Sequence, residues 1–292
     1  MAPSDFVLHR PQTLDEACAL GLKHQLNAAF LAGGTELLVD LRSGRKKVGH
    51  VISLNDLSEL KTIRVQDDWL CIGSLCLLSE IAASDLVRDF FPPLSEAIGT
   101  MAAVQIRNLG TMGGNFCCAV PCSDTPPISI AAGAELVLAS GRGDRTIPAA
   151  KFCLAPRVTV MNQGEVLREI RIPAQPPGSG ASYQRFGLRR GMALSVAATA
   201  ARIDLEDGLI SGAKIVMSSV GPIPLVAPRA AAELVGRPPG PDLFDAAACL
   251  AAEESQPISD LRGSEGYRRH LVRVLTSRAL TIAADRAQKG AA

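Results

Sequence analysis

Two glycine-rich segments of the chain carry the residue types best suited to holding a diphosphate. The first glycine segment, residues 32–38, reads Ala-Gly-Gly-Thr-Glu-Leu-Leu, and the second glycine segment, residues 111–115, reads Thr-Met-Gly-Gly-Asn. Glycine lets the backbone approach an anion closely and allows the positive φ angles that turn several N–H groups the same way. The first segment also runs into a helical pattern, for which Thr35 is the expected N-cap. With Asp124, the two segments are expected to form two halves of one diphosphate clamp.

The two commoner nucleotide-binding signatures are absent from this sequence. It contains no G-x-G-x-x-G between a strand and a helix and no G-x-x-x-x-G-K-[ST], so the dinucleotide-binding Rossmann motif and the P-loop lose their main support. A single Gly-Gly pair more often marks a turn that binds nothing. The second segment, with Asn115 and the following Asp124, is what favours a ligand.

Three motifs follow one another along the chain: AGGT at residues 32–35, QIRNLGTMGGN at residues 105–115 and PCSDTPP at residues 121–127. Two shorter stretches, residues 182–185 and 194–198, continue the same pattern. In this order they resemble the FAD-binding medium subunit of the molybdenum hydroxylases, a family that includes xanthine dehydrogenase and carbon monoxide dehydrogenase. The resemblance covers nearly the whole chain. It implies an α+β fold, in which a two-subdomain FAD-binding unit of the PCMH (vanillyl-alcohol-oxidase-like) type precedes a C-terminal α+β domain with a three-stranded antiparallel sheet and helices.

The resemblance also implies which residues bind the cofactor. The two glycine segments would hold the FAD pyrophosphate and ribityl atoms, and Asp124 would accept hydrogen bonds from hydroxyl groups. Arg185 would lie near the flavin ring, at a position where many relatives have Lys. The two side chains differ, because the arginine guanidinium is planar with several N–H donors and the lysine ammonium is a compact charge. The expected cofactor-binding residues are Leu31, Ala32, Gly33, Gly34, Thr35, Glu36, Leu37, Met101, Gly110, Thr111, Gly113, Gly114, Asn115, Cys118, Asp124 and Arg185. No residue is expected to be catalytic or to bind a metal.

Hydrophobic periodicity, capping residues and turn signals divide the chain into units of residues 1–55, 56–175 and 181–288, with the Pro/Gly-rich residues 173–180 as linker. The first unit is expected to contain strands at residues 5–9, 28–31 and 51–54 and a helix at residues 13–20 that begins with a capping box of Thr13 and Glu16. The second is expected to contain a hairpin at residues 62–73, helices at 77–83 and 94–103, and strands at 135–139 and 165–172. The third is expected to contain strands at 183–186, 195–205 and 210–220 and helices at 227–234, 243–254 and 266–286.

The composition of the chain argues against several classes of protein. The 292 residues include 30 basic and 29 acidic side chains, a net charge of +1, which favours neither nucleic acid nor a membrane surface. No apolar run reaches the roughly 20 residues of a membrane span, and the sequence has no secretory signal, so the expected location is the cytoplasm. The 8 cysteines are then expected to be reduced. The histidines have no metal-ligand spacing in the sequence.

The expected function is an FAD-binding electron-transfer subunit with non-covalent FAD. As the resemblance implies, a large subunit would carry the molybdenum cofactor and a small subunit would carry [2Fe-2S] clusters, in a dimer of heterotrimers. A rival hypothesis is a subunit like that of 4-hydroxybenzoyl-CoA reductase, with an extra iron–sulfur cluster at Cys117, Cys118 and Cys122, although such clusters need four thiolates. Two further hypotheses are a non-redox module that binds a nucleotide diphosphate and a self-sufficient flavin oxidase.

Overall fold

The computed structural model describes residues 5–189 and 191–290. The first part of the chain forms a three-stranded parallel sheet with the strand order β1-β3-β2. Its elements are β1 (Val7–His9), α1 (Leu14–His24), β2 (Ala28–Leu31), α2 (Leu37–Ser43) and β3 (His50–Ser53). The first glycine segment therefore connects β2 to α2, at the carboxyl end of a strand.

The first helix begins as its sequence predicts, with one difference in the cap. The hydroxyl of Thr13 accepts a hydrogen bond from the backbone N–H of Glu16 at 3.2 Å. The Glu16 carboxylate accepts from the backbone N–H of Gln12 at 2.8 Å rather than from Thr13, so the reciprocal bond of the expected capping box is shifted by one residue. Thr35 was expected to cap α2, but that helix begins at Leu37 after Glu36 and has no side-chain cap.

The middle part of the chain forms a five-stranded sheet in the order β4-β5-β10-β6-β7 with a group of short helices. Its elements are β4 (Ile63–Gln66), β5 (Trp69–Gly73), α3 (Leu78–Ala83), α4 (Asp85–Phe90), α5 (Pro92–Thr100), α6 (Val104–Arg107), α7 (Met112–Cys117), α8 (Thr125–Ala132), β6 (Glu135–Ala139), β7 (Arg145–Pro148), β8 (Cys153–Ala155), β9 (Val158–Thr159) and β10 (Val166–Pro173). The expected hairpin is confirmed: Asp67 and Asp68 have φ angles of 49° and 62°, as a type I′ turn between paired strands requires.

Two expectations for this region need correction. The helix expected at residues 94–103 ends at Thr100, because the chain turns at Ala102, where φ is +50°. The second glycine segment was expected to be a turn, but residues 112–115 form the first turn of α7. Thr111 is the N-cap of that helix, and its hydroxyl accepts a hydrogen bond from the N–H of Gly114 at 3.0 Å.

The last part of the chain forms an antiparallel sheet covered by helices. Its elements are β11 (Ser179–Gly187), β12 (Ser195–Glu206), β13 (Leu209–Ser218), β14 (Leu225–Val226), α9 (Pro228–Leu234), α10 (Pro241–Glu254) and α11 (Glu265–Gly290). The sheet has four strands, where three were expected. The fourth has only two residues, which pair with Val216 and Met217 of β13, and two residues are too few for an alternating pattern to be recognised.

Strand β12 is buried on both faces over most of its length. One face of this strand packs against α8 in a core that continues into the middle sheet, with Ala198 and Ala200 close to Ile128 and Ile170. The other face contributes Ala197, Ala201 and Ile203 to a second core with α10 and α11. A strand buried on both faces carries apolar side chains at consecutive positions instead of alternating apolar and polar ones. The three main sheets follow the order of the three expected units, except that β11 begins at Ser179, inside the expected linker. The unit boundaries stay a prediction.

The fold brings three of the four histidines together, which their separation in sequence did not predict. His9 at the end of β1, His24 at the end of α1 and His50 at the start of β3 can each offer one ring nitrogen, and these nitrogens lie within 4.8 Å of one another. None of the helices in the described part of the chain combines the length and apolar character that a bilayer span requires.

Candidate cofactor site

A cleft of about 720 Å³ lies between the two glycine segments and residues 192–194. This volume is within the range of small-molecule and cofactor sites, about 300–1,000 Å³. Of the expected binding residues, those that line the cleft are Ala32, Gly33, Gly34, Thr35, Glu36, Leu37, Met101, Gly110, Thr111, Gly114, Asn115, Cys118 and Asp124. The fold therefore assembles residues from distant parts of the sequence around one space, as expected.

The first glycine segment presents free backbone donors to this cleft. The N–H groups of Gly33, Gly34, Thr35 and Glu36 have no hydrogen-bond acceptor among residues 5–189 and 191–290. Gly34 has a φ of +74°, a conformation that is easily reached only by glycine. Consecutive free N–H groups beside a helix N-terminus match the hydrogen-bonding needs of a phosphate.

Gly33 has a different role from Gly34. A Cβ atom at Gly33 would lie 1.7 Å from the backbone oxygen of Leu109, immediately before the second glycine segment. Glycine at this position is therefore required for contact between two parts of the protein, and not only for the approach of a ligand. The backbones of the two sides of the cleft pack closely together at this point.

The N–H groups of the second glycine segment are already used inside the protein. Those of Met112, Gly113 and Asn115 donate to backbone oxygens at 3.2, 3.0 and 3.0 Å, and that of Gly114 donates to the Thr111 hydroxyl. The two expected halves of the clamp therefore differ, since in the described part of the chain only the first segment has consecutive N–H groups without an acceptor. The second segment contributes a wall, which Gly114 keeps open because a Cβ there would meet only the Thr111 hydroxyl, at 3.0 Å.

The side chain of Asn115 is oriented by its neighbours. Its Oδ1 accepts hydrogen bonds from the backbone N–H of Thr125 at 3.1 Å and from the Thr125 hydroxyl at 2.7 Å. Because a backbone N–H can only donate, this contact identifies the amide oxygen. The amide nitrogen has no acceptor in the described ranges, and Asn115 lines the cleft, so it is available as a donor to a ligand.

Asp124 lies in the cleft wall and is held by a buried network. Its Oδ1 accepts hydrogen bonds from the hydroxyls of Tyr183 and Ser195, both at 2.6 Å. Arg185 Nε is 3.3 Å from the same oxygen and donates to Ser195 Oγ at 2.9 Å. Burial, together with the charge of Asp124, raises the pKa of Tyr183 well above its ordinary value. Since these protein donors all reach Oδ1, the other carboxylate oxygen is left for a ligand.

Three expected binding residues do not line the cleft. The guanidinium of Arg185 lies behind the wall, where it donates to the backbone oxygens of Thr100 and of Ala193, the latter at 2.6 Å. Gly113 packs against Ser74, which a Cβ would approach to 2.5 Å. Leu31 belongs to β2 and accepts a hydrogen bond from the N–H of Leu54. The structure gives these three residues supporting positions instead of the expected direct contact.

Charged residues that the sequence analysis did not select also line the cleft. Arg157 donates to Glu36 at 2.6 Å and to Asp40 at 2.8 Å, and Arg45 is paired with Asp40 at 2.9 Å. The basic run Arg45-Lys46-Lys47 after α2 could have been predicted to lie near a phosphate, because it follows the first glycine segment in sequence. Arg157 is not part of a basic run or a glycine segment, so the sequence did not indicate that it lines the cleft. The other residues not selected are Phe30, Lys46, Leu78, Ala102, Ala103, Ile106, Cys117, Val120, Cys122, Ser123, Met192, Ala193 and Leu194.

The cysteines beside the cleft have the properties of ordinary thiols. Cys118 is half-buried and donates to the backbone oxygen of Asn115 at 3.2 Å. Burial raises the pKa of both Cys118 and Cys122, so the thiolate form that binds iron is disfavoured. In the described ranges the only compact group of three or more His, Cys, Asp or Glu side chains is the histidine group. The geometry therefore gives the extra iron–sulfur cluster no support.

Comparison with known proteins identifies the family. A family model described as the FAD binding domain in molybdopterin dehydrogenase matches residues 4–175, more than half of the chain. The chain belongs to this family. A second model, the CO dehydrogenase flavoprotein C-terminal domain, matches residues 181–283 of this family member. The resemblance seen in the three sequence motifs is confirmed.

Individual relatives cover nearly the full length of this FAD-binding family member. It is 32% identical to the carbon monoxide dehydrogenase medium chain of Hydrogenophaga pseudoflava, over 97% of this chain and 98% of the relative. It is 33% identical to the caffeine dehydrogenase subunit beta of Pseudomonas sp. (strain CBB1), over 98% and 97%. The solved structure of the Hydrogenophaga pseudoflava carbon monoxide dehydrogenase that lacks the Mo-pyranopterin moiety of its cofactor aligns with a TM-score of 0.95 at 33% identity, covering 98% of this chain and 99% of the other. The expected fold class is confirmed.

The cleft residues fit the cofactor of the family. Four free N–H groups, a glycine at positive φ and an open wall at Gly114 suit a diphosphate that approaches the backbone. The remaining donor and acceptor, the Asn115 amide nitrogen and the second oxygen of Asp124, suit hydroxyl groups. Apolar side chains such as Met101 and Ile106 line the same cleft and suit an aromatic ring.

Proposed function

We propose that this chain is the FAD-carrying electron-transfer subunit of a heteromeric molybdenum hydroxylase, which receives electrons from iron–sulfur clusters of a small partner subunit and passes them to an external acceptor. The observation that carries this proposal is the cleft with its free N–H groups, in a chain of the molybdopterin dehydrogenase family. Bound FAD would supply the redox chemistry. The protein's own residues bind and orient the cofactor, and none is assigned as a general acid or base.

We propose that FAD is bound without a covalent link. Neither glycine segment contains a His or Cys, and the raised pKa of Cys118 and Cys122 keeps these cleft thiols protonated at neutral pH. A protonated thiol is a poor nucleophile toward a flavin. Affinity would come from the N–H groups of residues 33–36, the Asn115 amide and the Asp124 carboxylate.

We propose that the chain assembles with a molybdopterin-binding large subunit and a [2Fe-2S] small subunit as a dimer of heterotrimers. Beside the cleft, the apolar side chains of Val104, Ile106 and Leu109 are 58%, 40% and 57% exposed. Such a patch suits a partner protein. All eight cysteines are unpaired, which supports a reducing compartment and hence the cytoplasm. Native mass spectrometry of the co-expressed subunits tests the stoichiometry, and Val104→Glu is expected to release a partner while Leu209→Glu, an exposed change in another sheet, is not.

The cofactor proposal is tested with the purified full chain. It is expected to be yellow with about one FAD per chain, and acid denaturation should release all of the colour into the supernatant. Gly34→Val and Gly114→Val should abolish FAD binding. At Gly34 the new side chain would clash with Leu38 at a positive φ that valine rarely adopts, and at Gly114 it would enter the cleft. Gly141→Val is the matched control, since its Cβ would point into open space in an exposed turn, and circular dichroism checks folding. Wild-type FAD content in both cleft variants would contradict the proposed clamp.

The role of Asp124 has its own test. Asp124→Asn removes the charge but keeps the size of the side chain, and a hydrogen bond to a charged group contributes about 1.5–3 kcal/mol. FAD affinity should therefore fall by roughly tenfold to a hundredfold. With saturating FAD, electron transfer from a reduced partner should return close to the wild-type rate. A saturated but inactive variant would indicate a chemical role for Asp124.

The same preparation distinguishes the proposed function from its three rivals. A colourless wild-type chain that binds other nucleotide diphosphates would favour the non-redox module. Iron and labile sulfide in the purified chain would favour the reductase-like subunit. Substrate oxidation by the chain without partner subunits would favour a self-sufficient oxidase.

A further inference from the structure

A group of three histidines lies outside the cofactor cleft. His9 ends β1, His50 begins β3, and His24 is the last residue of α1. Because β1 and β3 are parallel neighbours with Val7 opposite His50, His9 lies two positions farther along the same pair of strands. All three side chains are half-buried, and none lines the cleft. We call these residues the three-histidine cluster.

The ring nitrogens of the three-histidine cluster are only partly satisfied by one another. His9 Nε2 and His50 Nδ1 are 3.0 Å apart, so they can share one proton. The His24 ring stacks on that of His50 with centroids 3.7 Å apart. His24 Nε2 is buried from solvent and has no hydrogen-bond partner among residues 5–189 and 191–290. A buried polar atom without a partner destabilises the folded state, and such atoms are rare in native proteins.

A metal ion satisfies all three rings at once. With Zn–N bonds of about 2.0–2.1 Å, two ligand nitrogens of a tetrahedral ion lie about 3.3 Å apart, close to the 3.0 Å between His9 and His50. The ring nitrogens of the three histidines lie up to 4.8 Å apart. One imidazole must therefore rotate toward the other two for all three to bind the same ion. No carboxylate or thiol belongs to the group in the described ranges, and an all-imidazole donor set suits zinc and its neighbours in the first transition row.

We propose that His9, His24 and His50 bind one Zn²⁺ ion, with water in the fourth position. The ion would join two strands of the first sheet to the end of α1, so it would stabilise the folded chain, because the unfolded chain does not hold the three rings together. The site is separate from the FAD cleft. Its occupation should therefore leave the FAD content unchanged.

The experiment uses the full chain without an affinity tag, treated with EDTA and then dialysed against Zn²⁺. Wild-type protein should retain about one Zn²⁺ per chain and show a higher melting temperature with Zn²⁺ than with EDTA. His24→Gln and His50→Gln should lose both the ion and the shift in melting temperature. His270→Gln is the matched control, because His270 is exposed on α11. FAD content and circular dichroism report whether each variant is folded.

Substitution of Co²⁺ for Zn²⁺ separates histidine from cysteine ligands. The visible absorption bands of bound Co²⁺ should appear in the wild type without the near-ultraviolet charge-transfer band of a thiolate ligand. The proposal fails if the wild type binds no stoichiometric Zn²⁺, if folded His24→Gln still binds it, or if the thiolate band appears. If His24→Gln does not fold, His9→Gln on the short edge strand β1 replaces it, and the Co²⁺ spectrum of the wild type remains decisive.

Discussion

The two glycine segments look alike in sequence and are used differently in the structure. In the first, the N–H groups of residues 33–36 have no acceptor within the described part of the chain, and Gly34 has positive φ. In the second, the N–H groups of residues 112–115 donate to protein acceptors, and none of those residues has positive φ. The first segment is therefore suited to contact an anion with its backbone. The second is a capped helix start that is fixed by the protein and offers the Asn115 side chain to the cleft.

This difference shows that glycine can be required in a Gly-Gly pair for at least three structural reasons. Gly34 satisfies a backbone conformation, Gly33 and Gly113 permit close contact between protein segments, and Gly114 leaves space in the cleft. Only the first and the last of these reasons concern a ligand directly. Mutations at the four positions should therefore separate stability from cofactor affinity.

The largest effect is expected for Gly33→Ala, which tests the contact between the segments. The new Cβ would lie 1.7 Å from the Leu109 oxygen, so the backbones must separate. Overpacking of this kind costs about 1–3 kcal/mol or more, and FAD should be lost as the cleft is distorted. Urea unfolding and FAD content measure both effects, with Gly141→Ala as control. A variant as stable as the wild type would show that the two segments are not in contact in solution.

Gly34→Ala and Gly114→Ala compare the backbone roles of the two glycine segments most directly. Alanine at the positive φ of Gly34 should lower the free energy of unfolding by about 1–2 kcal/mol. At Gly114, in a helical turn, alanine gains about 0.5–1 kcal/mol of helix preference, which the 3.0 Å contact with Thr111 partly offsets. Chemical denaturation of the two apoproteins measures the difference. Equal destabilisation would contradict the distinct backbone roles assigned here.

Asn115 tests whether the second segment acts through its side chain. Asn115→Asp keeps an acceptor for the two Thr125 donors, so stability should change little. It replaces the amide donor by a negative charge near the diphosphate, and FAD affinity should fall by about tenfold or more, equivalent to about 1.4 kcal/mol. Asn115→Ala should instead lose stability by about 1–3 kcal/mol, because the Thr125 groups lose their partner. Fluorescence titration with FAD and thermal unfolding distinguish the two patterns.

The smallest effect is expected for Lys46→Ala, which tests whether side-chain charge assists the backbone donors of the first segment. Lys46 lines the cleft, and the neighbouring Lys47 does not. An exposed charge contributes about 0–1 kcal/mol, so FAD affinity should fall a few-fold at low salt, and the difference should shrink at high salt. Lys47→Ala should bind FAD like the wild type. A large, salt-independent loss in Lys46→Ala would assign phosphate binding to this side chain.

Much of the fold followed from local patterns. The Thr13 cap, the hairpin at Asp67 and Asp68 and the long final helix depend on residues close in sequence, and such signals are strong when capping and turn chemistry agree with periodicity. Strand β14 was missed because its two residues are held by pairing to β13 and not by their own pattern. The end of α5 was placed three residues too late because its apolar pattern continues beyond Thr100.

The candidate site likewise contains residues that the sequence predicted and residues that it did not. Its glycines, Asn115 and Asp124 were found from motif order, since these residue types are required wherever a backbone approaches a ligand. Arg157 was not found, because it reaches Asp40 from 117 positions away in the sequence. The position of Arg185 behind the wall depends on Ser195 and on the backbone near Thr100, which no local pattern encodes.

The sequence by itself determined the family, the segments that build the cofactor cleft and most of the longer helices and strands, because these depend on local geometry and on ordered motifs. Only the tertiary structure decided which glycine segment keeps its N–H groups free, which charged residues reach the cleft and that three separated histidines meet. The physical reason is that a donor is free, or a ligand group complete, only with respect to all its neighbours in space. Those neighbours are brought together by packing of elements that are remote in the chain.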